Sequence, residues 1–329
     1  MHRPTRLPTS AWLAICAGSL LSSPLWAQPT WPQKPIKLIV PFAAGGSNDN
    51  IARLLAQKMG NILGQPLIIE NRGGSGGLIG TDSVAQAPAD GYTLLFASSS
   101  IVTNALSGKK VKHDPSNAFT SIGKVVSSPL MIVAANQLAV KNLAELVNYA
   151  KSNPGKLNYG TAGVGATNHL ATELFAHTAG IQLTHVPYKG ISQSYNDLMG
   201  GSLQMMVPSL TAIVPHIKSG KVRGLAITGP QRSHLLPDVP TVRESGYPNF
   251  TLVAWFGVMG PAGLPAAITN KTNQAINEAL ADPEVLKVLH AESLTPLPGT
   301  PQQLQDQVRE DMVLWRKVIK DAKIKLDEG

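Results

Sequence analysis

From Pro41 the chain reads "PFAAGGSNDN", and from Asn158 it reads "NYGTAGVGATNHL". In both stretches an apolar segment meets closely spaced glycines and then the start of a helix. Unpaired backbone N–H groups and the positive end of a helix dipole would face one spot in each. Such a spot holds an anion without any ionised side chain, and glycines let that anion approach the amides closely. The first loop offers Gly45 and Gly46, with Ser47, Asn48 or Asp49 as helix cap. The second offers Gly160, Gly163 and Gly165, with Thr167 or Asn168 as cap. A tight turn without a ligand explains either loop alone, but finding the arrangement twice favours binding.

Further candidates sit at other strand ends. "ASSS" at residues 97–100 presents three hydroxyls, Ser98 and Ser99 foremost with Ser100 beside them, as donors or acceptors. Pro208, Ser209 and the Tyr188 of "VPYKG" are comparable, and Asp49 and Asp197 are the carboxylates nearest the expected cleft loops. "GGSGG" at residues 73–77 fits the G-x-S-x-G nucleophile elbow around Ser75. Four glycines around one serine satisfy that pattern trivially, no HGGG-type segment accompanies it, and no His or Asp is singled out as a partner. A secreted serine hydrolase is therefore only an alternative, and the chain is not expected to be an enzyme.

Among the seven histidines beyond residue 27 (His113, His169, His177, His185, His216, His234 and His290) there is no H-E-x-x-H, and His169 and His177 are eight apart, too far to share an ion. Neither a P-loop nor G-x-G-x-x-G occurs. No metal and no cofactor is expected.

The elements that must position these loops follow from periodicity. "PIKLIVPF" at residues 35–42 reads as a strand buried on both faces. Ile51, Leu54, Leu55, Met59, Ile62 and Leu63 then recur at helical spacing, and Gly64 can end the helix. Strand and helix keep alternating: strands near 66–71, 92–99, 129–135, 157–161, 183–189, 203–209 and 222–228, with helices between, a strand-like run at 251–260, and helices from 266 to Leu326. Alternation of this kind means βαβ units in an α/β fold with mostly parallel sheets flanked by helices. Ligands collect beyond the carboxyl ends of such strands, here in a cleft between two lobes.

Residues 1–27 read as a cleavable secretory signal peptide, with Arg3 and Arg6 before the apolar "AWLAICAGSLL" and Ala27 before the cut, so export into an oxidising compartment is expected. The one cysteine, Cys16, lies within it. Formal charge is +8, or +6 once Arg3 and Arg6 leave, and the basic residues are spread out with no interleaved aromatics. Nucleic acid is not an expected partner. The remaining chain divides into lobe 1 (28–128 plus 247–329) and lobe 2 (129–246).

Seven segments together resemble the Bug family, the periplasmic solute-binding receptors of tripartite tricarboxylate transporters: "WPQKPIKLIVPFAAGGSNDNIARLLAQKM", "LGQPLIIENRGGSGGLIG", "PADGYTLLFASS", "PGKLNYGTAGVGATNHLATELF", "VPYKG", "VPHIKSGKVRGLAITGPQRSHLLPDVPTVRESG" and "WFGVMGPAGLP". The resemblance runs in order through the chain. It implies a two-lobed type II periplasmic-binding-protein fold with two crossing strands, a small organic acid as ligand, and membrane subunits of such a transporter as partners. It also implies a ligand loop of Phe42, Ala43, Ala44, Gly45, Gly46 and Asp49, and a second of Thr161, Ala162, Gly163 and Thr167. Where the family often has proline and threonine before the aspartate, this chain has Ser47 and Asn48. A ligand sensor that presents its closed form to a signalling partner would share all of these features. On this reading Gly45→Val would weaken binding by occlusion and leave the fold intact.

Overall fold

The apolar run before the first glycine loop forms β1 (Ile36–Val40), in which Ile36, Leu38, Ile39 and Val40 are wholly buried. A strand buried on both faces belongs inside a sheet with helices on either side. The computed structural model describes residues 1–2, 31–106, 114–321 and 324. Apart from residues 1–2 the expected leader, with Cys16, lies outside the described residues, as do His113 and Leu326. Contacts divide the chain into Met1–Trp31 and Pro32–Gly329, and the fold is that of the second unit.

After β1 the chain forms α1 (Ser47–Leu63), β2 (Leu67–Asn71), α2 (Leu78–Ala85), β3 (Thr93–Ser98) and the short α3 (Ser100–Ala105). Next, β4 (Phe119–Pro129) passes directly into β5 (Met131–Ala135). The second half alternates through α4 (Leu143–Ser152), β6 (Asn158–Thr161), α5 (Thr167–Ala179), β7 (Thr184–Pro187), α6 (Tyr195–Gly200), β8 (Met205–Met206), α7 (Leu210–Lys218) and β9 (Val222–Ile227). The chain returns through β10 (Val253–Pro261) and closes with α8 (Ala266–Ala281), α9 (Pro283–Ala291), β11 (Thr295–Pro296) and α10 (Pro301–Asp321).

Two sheets result, in the orders β11-β4-β10-β3-β1-β2 and β7-β6-β8-β5-β9. β1 pairs in parallel with β2 and β3, and β6 with β7 and β8. β10 lies antiparallel to β3 and β4, and β5 antiparallel to β8 and β9. The sheets are thus mixed, and the reason is topological. β4, β5 and β10 carry the chain between the lobes, and a strand arriving from the other lobe enters its sheet from the opposite end.

Local sequence explains most elements. In α1, Ile51, Ala52, Leu55, Ala56, Met59 and Leu63 make one buried stripe, and Gly64 ends the helix at φ 75 with its N–H on the Gly60 carbonyl. Burying Leu55 or Met59 stabilises the fold by about 1.5–3 kcal/mol each. β4 is the exception. Its "FTSIGKVVSSP" has no clean alternation, yet it pairs with β10 and β11 and carries α8 and α10 on its face. Tertiary packing supplies what the local pattern lacks.

Where the two connecting strands pass between the lobes, one hydroxyl joins them. Thr228, just past β9 and 1 % exposed, accepts from the Leu130 N–H at 2.8 Å and offers its proton to the carbonyls of Leu130 (3.0 Å) and Leu252 (2.7 Å). Thr228→Val keeps the shape and removes the pin, leaving a buried amide unsatisfied. The expected cost is about 1–3 kcal/mol in chemical denaturation, with an unchanged denaturant slope.

Candidate functional site

The first glycine loop is held from behind. Asp49, 3 % exposed in the first turn of α1, accepts from the Gly45 N–H (3.0 Å), Arg53 Nε (3.0 Å) and Asn71 Nδ2 (2.9 Å). Asn71 also donates to the Phe42 carbonyl at 3.2 Å, so β2 fixes both ends of the turn. Burial works against the charge on Asp49, but the bonds from Arg53, Gly45 and Asn71 outweigh it and hold the carboxyl below its ordinary value.

Two expectations change here. The cap of α1 is Gly46 with no side-chain cap bond, so neither Ser47 nor Asn48 nor Asp49 caps it. Gly45 gives its amide to Asp49, and a Cβ at Gly45 would meet nothing within 4 Å, so Gly45→Val would act through strain at φ +82 and not by occlusion.

The second loop is built the same way with different chemistry. The Gly165 N–H donates to His169 Nδ1 at 3.2 Å, four residues ahead, as Gly45 does to Asp49. Thr161 Oγ1 accepts from the Gly163 N–H (3.1 Å) and bonds His185 Nε2 (2.6 Å). The rings of His169 and His185 stack with centroids 4.2 Å apart, and Tyr159 stacks on His185 at 4.9 Å. Tyr159 donates to Glu173, whose carboxyl burial raises despite that bond. The cap of α5 is Ala166, again without a side-chain cap bond. Thr167 and Asn168 therefore do not cap α5, and both helix starts leave their amides to whatever lies in front of them.

In front of them lies one cavity of about 70 Å³. Of the residues singled out from sequence, Phe42, Ala43, Gly46, Ser98, Ala162, Thr167, Pro208 and Ser209 line it. The others stand one layer back. Gly45 and Asp49 shape the first loop, Thr161 and Gly163 the second, and Ala44 is exposed. Ser99 bonds Thr167 across the lobes at 2.9 Å, and Tyr188 donates to Asp197. Burial and the Asp197 carboxylate push the Tyr188 hydroxyl up to about 12.

Sequence reasoning did not place Ser47, Asn48, Asn168, Ile191 and Phe256 in the lining, while Ser100, the third hydroxyl of "ASSS", does line it. Ser47, Asn48 and Asn168 were legible only as possible caps. Phe256 reaches the site because β10 crosses back beside β3, where Phe256 pairs with Ser98, and no local pattern announces that register.

The "GGSGG" segment has a structural use. Gly76 lies at φ +69, and a Cβ there would stand 2.4 Å from the Val164 carbonyl of the second loop. A Cβ on Gly163 would stand 2.9 Å from the Gly76 amide. The two loops meet main chain to main chain, which only glycine permits. Asn104 Nδ2 donates to the Gly76 carbonyl at 2.7 Å, and Thr103 donates to the Gly165 carbonyl. Ser75 itself is exposed.

This arrangement has close relatives. Residues 51–324 match the family model described as the tripartite tricarboxylate transporter family receptor. The chain is 37 % identical over 299 residues to Protein BugT of Bordetella pertussis, covering 90 % of this chain and 92 % of that one. Among solved structures, the periplasmic binding protein BugD is 36 % identical with a TM-score of 0.86, covering 89 % of this chain and 99 % of its own. An R. palustris protein in a structure with adipate is 35 % identical with a TM-score of 0.86, covering 90 % and 99 %. Two glycine loops on opposite lobes, an intervening cavity and crossing strands accord with these matches across nearly the full length: the chain belongs to the tripartite tricarboxylate transporter receptor family, the Bug-type periplasmic solute-binding proteins.

Proposed function

We propose that this chain captures a small organic acid in the cavity between its lobes and presents the closed form to the membrane subunits of a tripartite tricarboxylate-type transporter. Lobe 1 (28–128 plus 247–329) and lobe 2 (129–246) close about the strands pinned by Thr228, and residues 1–27 direct the chain to the periplasm. The observation that carries this reading is the convergence of two uncapped helix starts, one from each lobe, on a single cavity. Among the described residues no charged side chain lines it. A carboxylate there would be held by charge-assisted bonds from main-chain amides, each roughly twice as strong as a neutral one. The adipate in the R. palustris relative supports an organic acid as the class.

Thermal unfolding of the purified protein with mono-, di- and tricarboxylates, amino acids and aromatic acids tests this. An acid at 100 times its Kd should stabilise by about 2.7 kcal/mol, a shift of several degrees. Gly46→Val is the matched control. Gly46 has an ordinary φ of −90, and its Cβ would lie 3.9 Å from the Ala43 carbonyl and 4.0 Å from Ile191 Cγ2. The variant should unfold near the wild-type temperature without ligand and lose the ligand shift. A full shift in Gly46→Val, or none for any acid with wild type, would overturn the reading.

A further inference from the structure

Most polar side chains around the cavity are already satisfied by the protein. Ser98 bonds Ser100 at 2.6 Å, Ser209 bonds Ser128 at 3.0 Å, and Thr167 bonds Ser99 at 2.9 Å. Two residues differ. Ser47 is 6 % exposed, and both its Oγ and Asn48 Oδ1 are buried with no hydrogen-bond partner. Both residues line the cavity and are the first two of α1, beside the amides that face an anion. A buried polar atom without a partner costs about 1–3 kcal/mol, so two adjacent ones at a ligand cavity point to groups that the ligand satisfies.

The chemistry of the pair narrows what that group is. Asn48 Oδ1 accepts only, while Ser47 Oγ both donates and accepts. A ligand hydroxyl serves both, giving its hydrogen to Asn48 Oδ1 and taking the Ser47 proton on a lone pair. An ammonium would also donate, but it has no lone pair for the serine proton. With no carboxylate lining the cavity among the described residues, its charge would be desolvated without a partner. Phe42, Leu130, Ile191, Ala254 and Phe256 supply an apolar wall for the rest of the molecule.

We infer that the ligand is a hydroxy acid, a carboxylate with a hydroxyl on the neighbouring carbon and an otherwise apolar body, and that Ser47 and Asn48 select it over the plain acid and the amino acid. The inference rests on the carboxylate reading of this cavity and adds to it the identity of the substituent.

The test uses matched series that differ only at the carbon beside the carboxylate: 3-phenyllactate, 3-phenylpropionate and phenylalanine, and 2-hydroxyadipate, adipate and 2-aminoadipate. Affinities come from calorimetry with wild type, Ser47→Ala, Asn48→Ala and the double variant. In at least one series the hydroxy acid should bind wild type about tenfold or more tightly than the plain acid, and the amino acid most weakly. The double variant should bind the hydroxy and the plain acid alike, and its ligand-free unfolding temperature should not fall, because two unpartnered buried atoms are gone. Hydroxy and plain acids binding equally, an amino acid binding best, or a preference that survives in the folded double variant would each overturn the inference and leave the carboxylate reading standing. If no acid in either series binds wild type, the hydroxy-acid inference falls, and the wider thermal panel decides the carboxylate reading separately.

Discussion

Gly76→Ala is expected to abolish tight ligand binding while leaving each lobe folded. The alanine Cβ would sit 2.4 Å from the Val164 carbonyl and 2.8 Å from Asn104 Oδ1. The first contact is with main chain of the opposite loop, which cannot rotate away, so the lobes must stand apart. Ligand affinity scales with the fraction of molecules that can close, and a closure penalty of about 3 kcal/mol lowers it more than 100-fold. The substitution also places alanine at φ +69, which costs about 1–2 kcal/mol by itself.

Gly155→Ala separates the two effects. Gly155 has φ +72 and nothing within 4 Å of its Cβ, so this variant carries similar backbone strain away from the seam. It should lose a comparable amount of stability and keep wild-type affinity for any acid found in the thermal screen. Small-angle scattering gives a second readout: wild type should contract on adding that acid, and Gly76→Ala should not. Contraction and undiminished affinity in Gly76→Ala would show that the glycine seam does not govern closure.

Asp49→Ala should have the next largest effect. It removes the acceptor for Gly45, Arg53 and Asn71 together. Arg53 reaches solvent and recovers its hydration, but the Gly45 amide and the Asn71 side chain are left partly buried, for a cost of about 2 kcal/mol in stability. Because Gly45 and Phe42 are both tied to this cluster, the first loop should lose its shape and ligand affinity should fall at least about tenfold. Thermal unfolding and calorimetry check the two parts separately.

Acid should mimic the mutation. The carboxyl of Asp49 titrates lower in the folded protein than in the unfolded chain. Its stabilisation is therefore complete above the unfolded value near pH 4 and is lost as pH falls through the folded value. Wild type and Asp49→Ala should differ in stability at pH 7 and converge in strong acid. A constant difference down to the lowest pH at which both fold would remove Asp49 from the account.

Much of the fold was legible because its elements obey local rules. The stripe of α1, its Gly64 stop and the β-branched run of β1 are each written within a few residues. β4 was not, because Ser121, Gly123, Lys124 and Ser127 interrupt its apolar pattern and only its neighbours make it a strand. The site divides the same way. Both glycine loops were legible as strand-to-helix turns, since strand, glycine and helix follow in sequence. Which amide faces the cavity was not legible: Gly45 and Gly46 are adjacent, and only the bond to Asp49 distinguishes them. The hydroxyl pairs between Ser99 and Thr167 or Ser128 and Ser209 join residues far apart in the chain, and no spacing rule finds them.

The seam between the loops is made of main chain at Gly76, Gly163 and Val164, whereas the cavity wall is made of side chains such as Ser47, Asn48, Ile191 and Phe256. The two tasks therefore draw on separate heritable positions. A lineage could exchange wall residues, and with them its ligand, without rebuilding the joint at which the two loops meet. Laboratory evolution of new specificities should accordingly find its tolerated changes in the wall and its lethal ones in the seam.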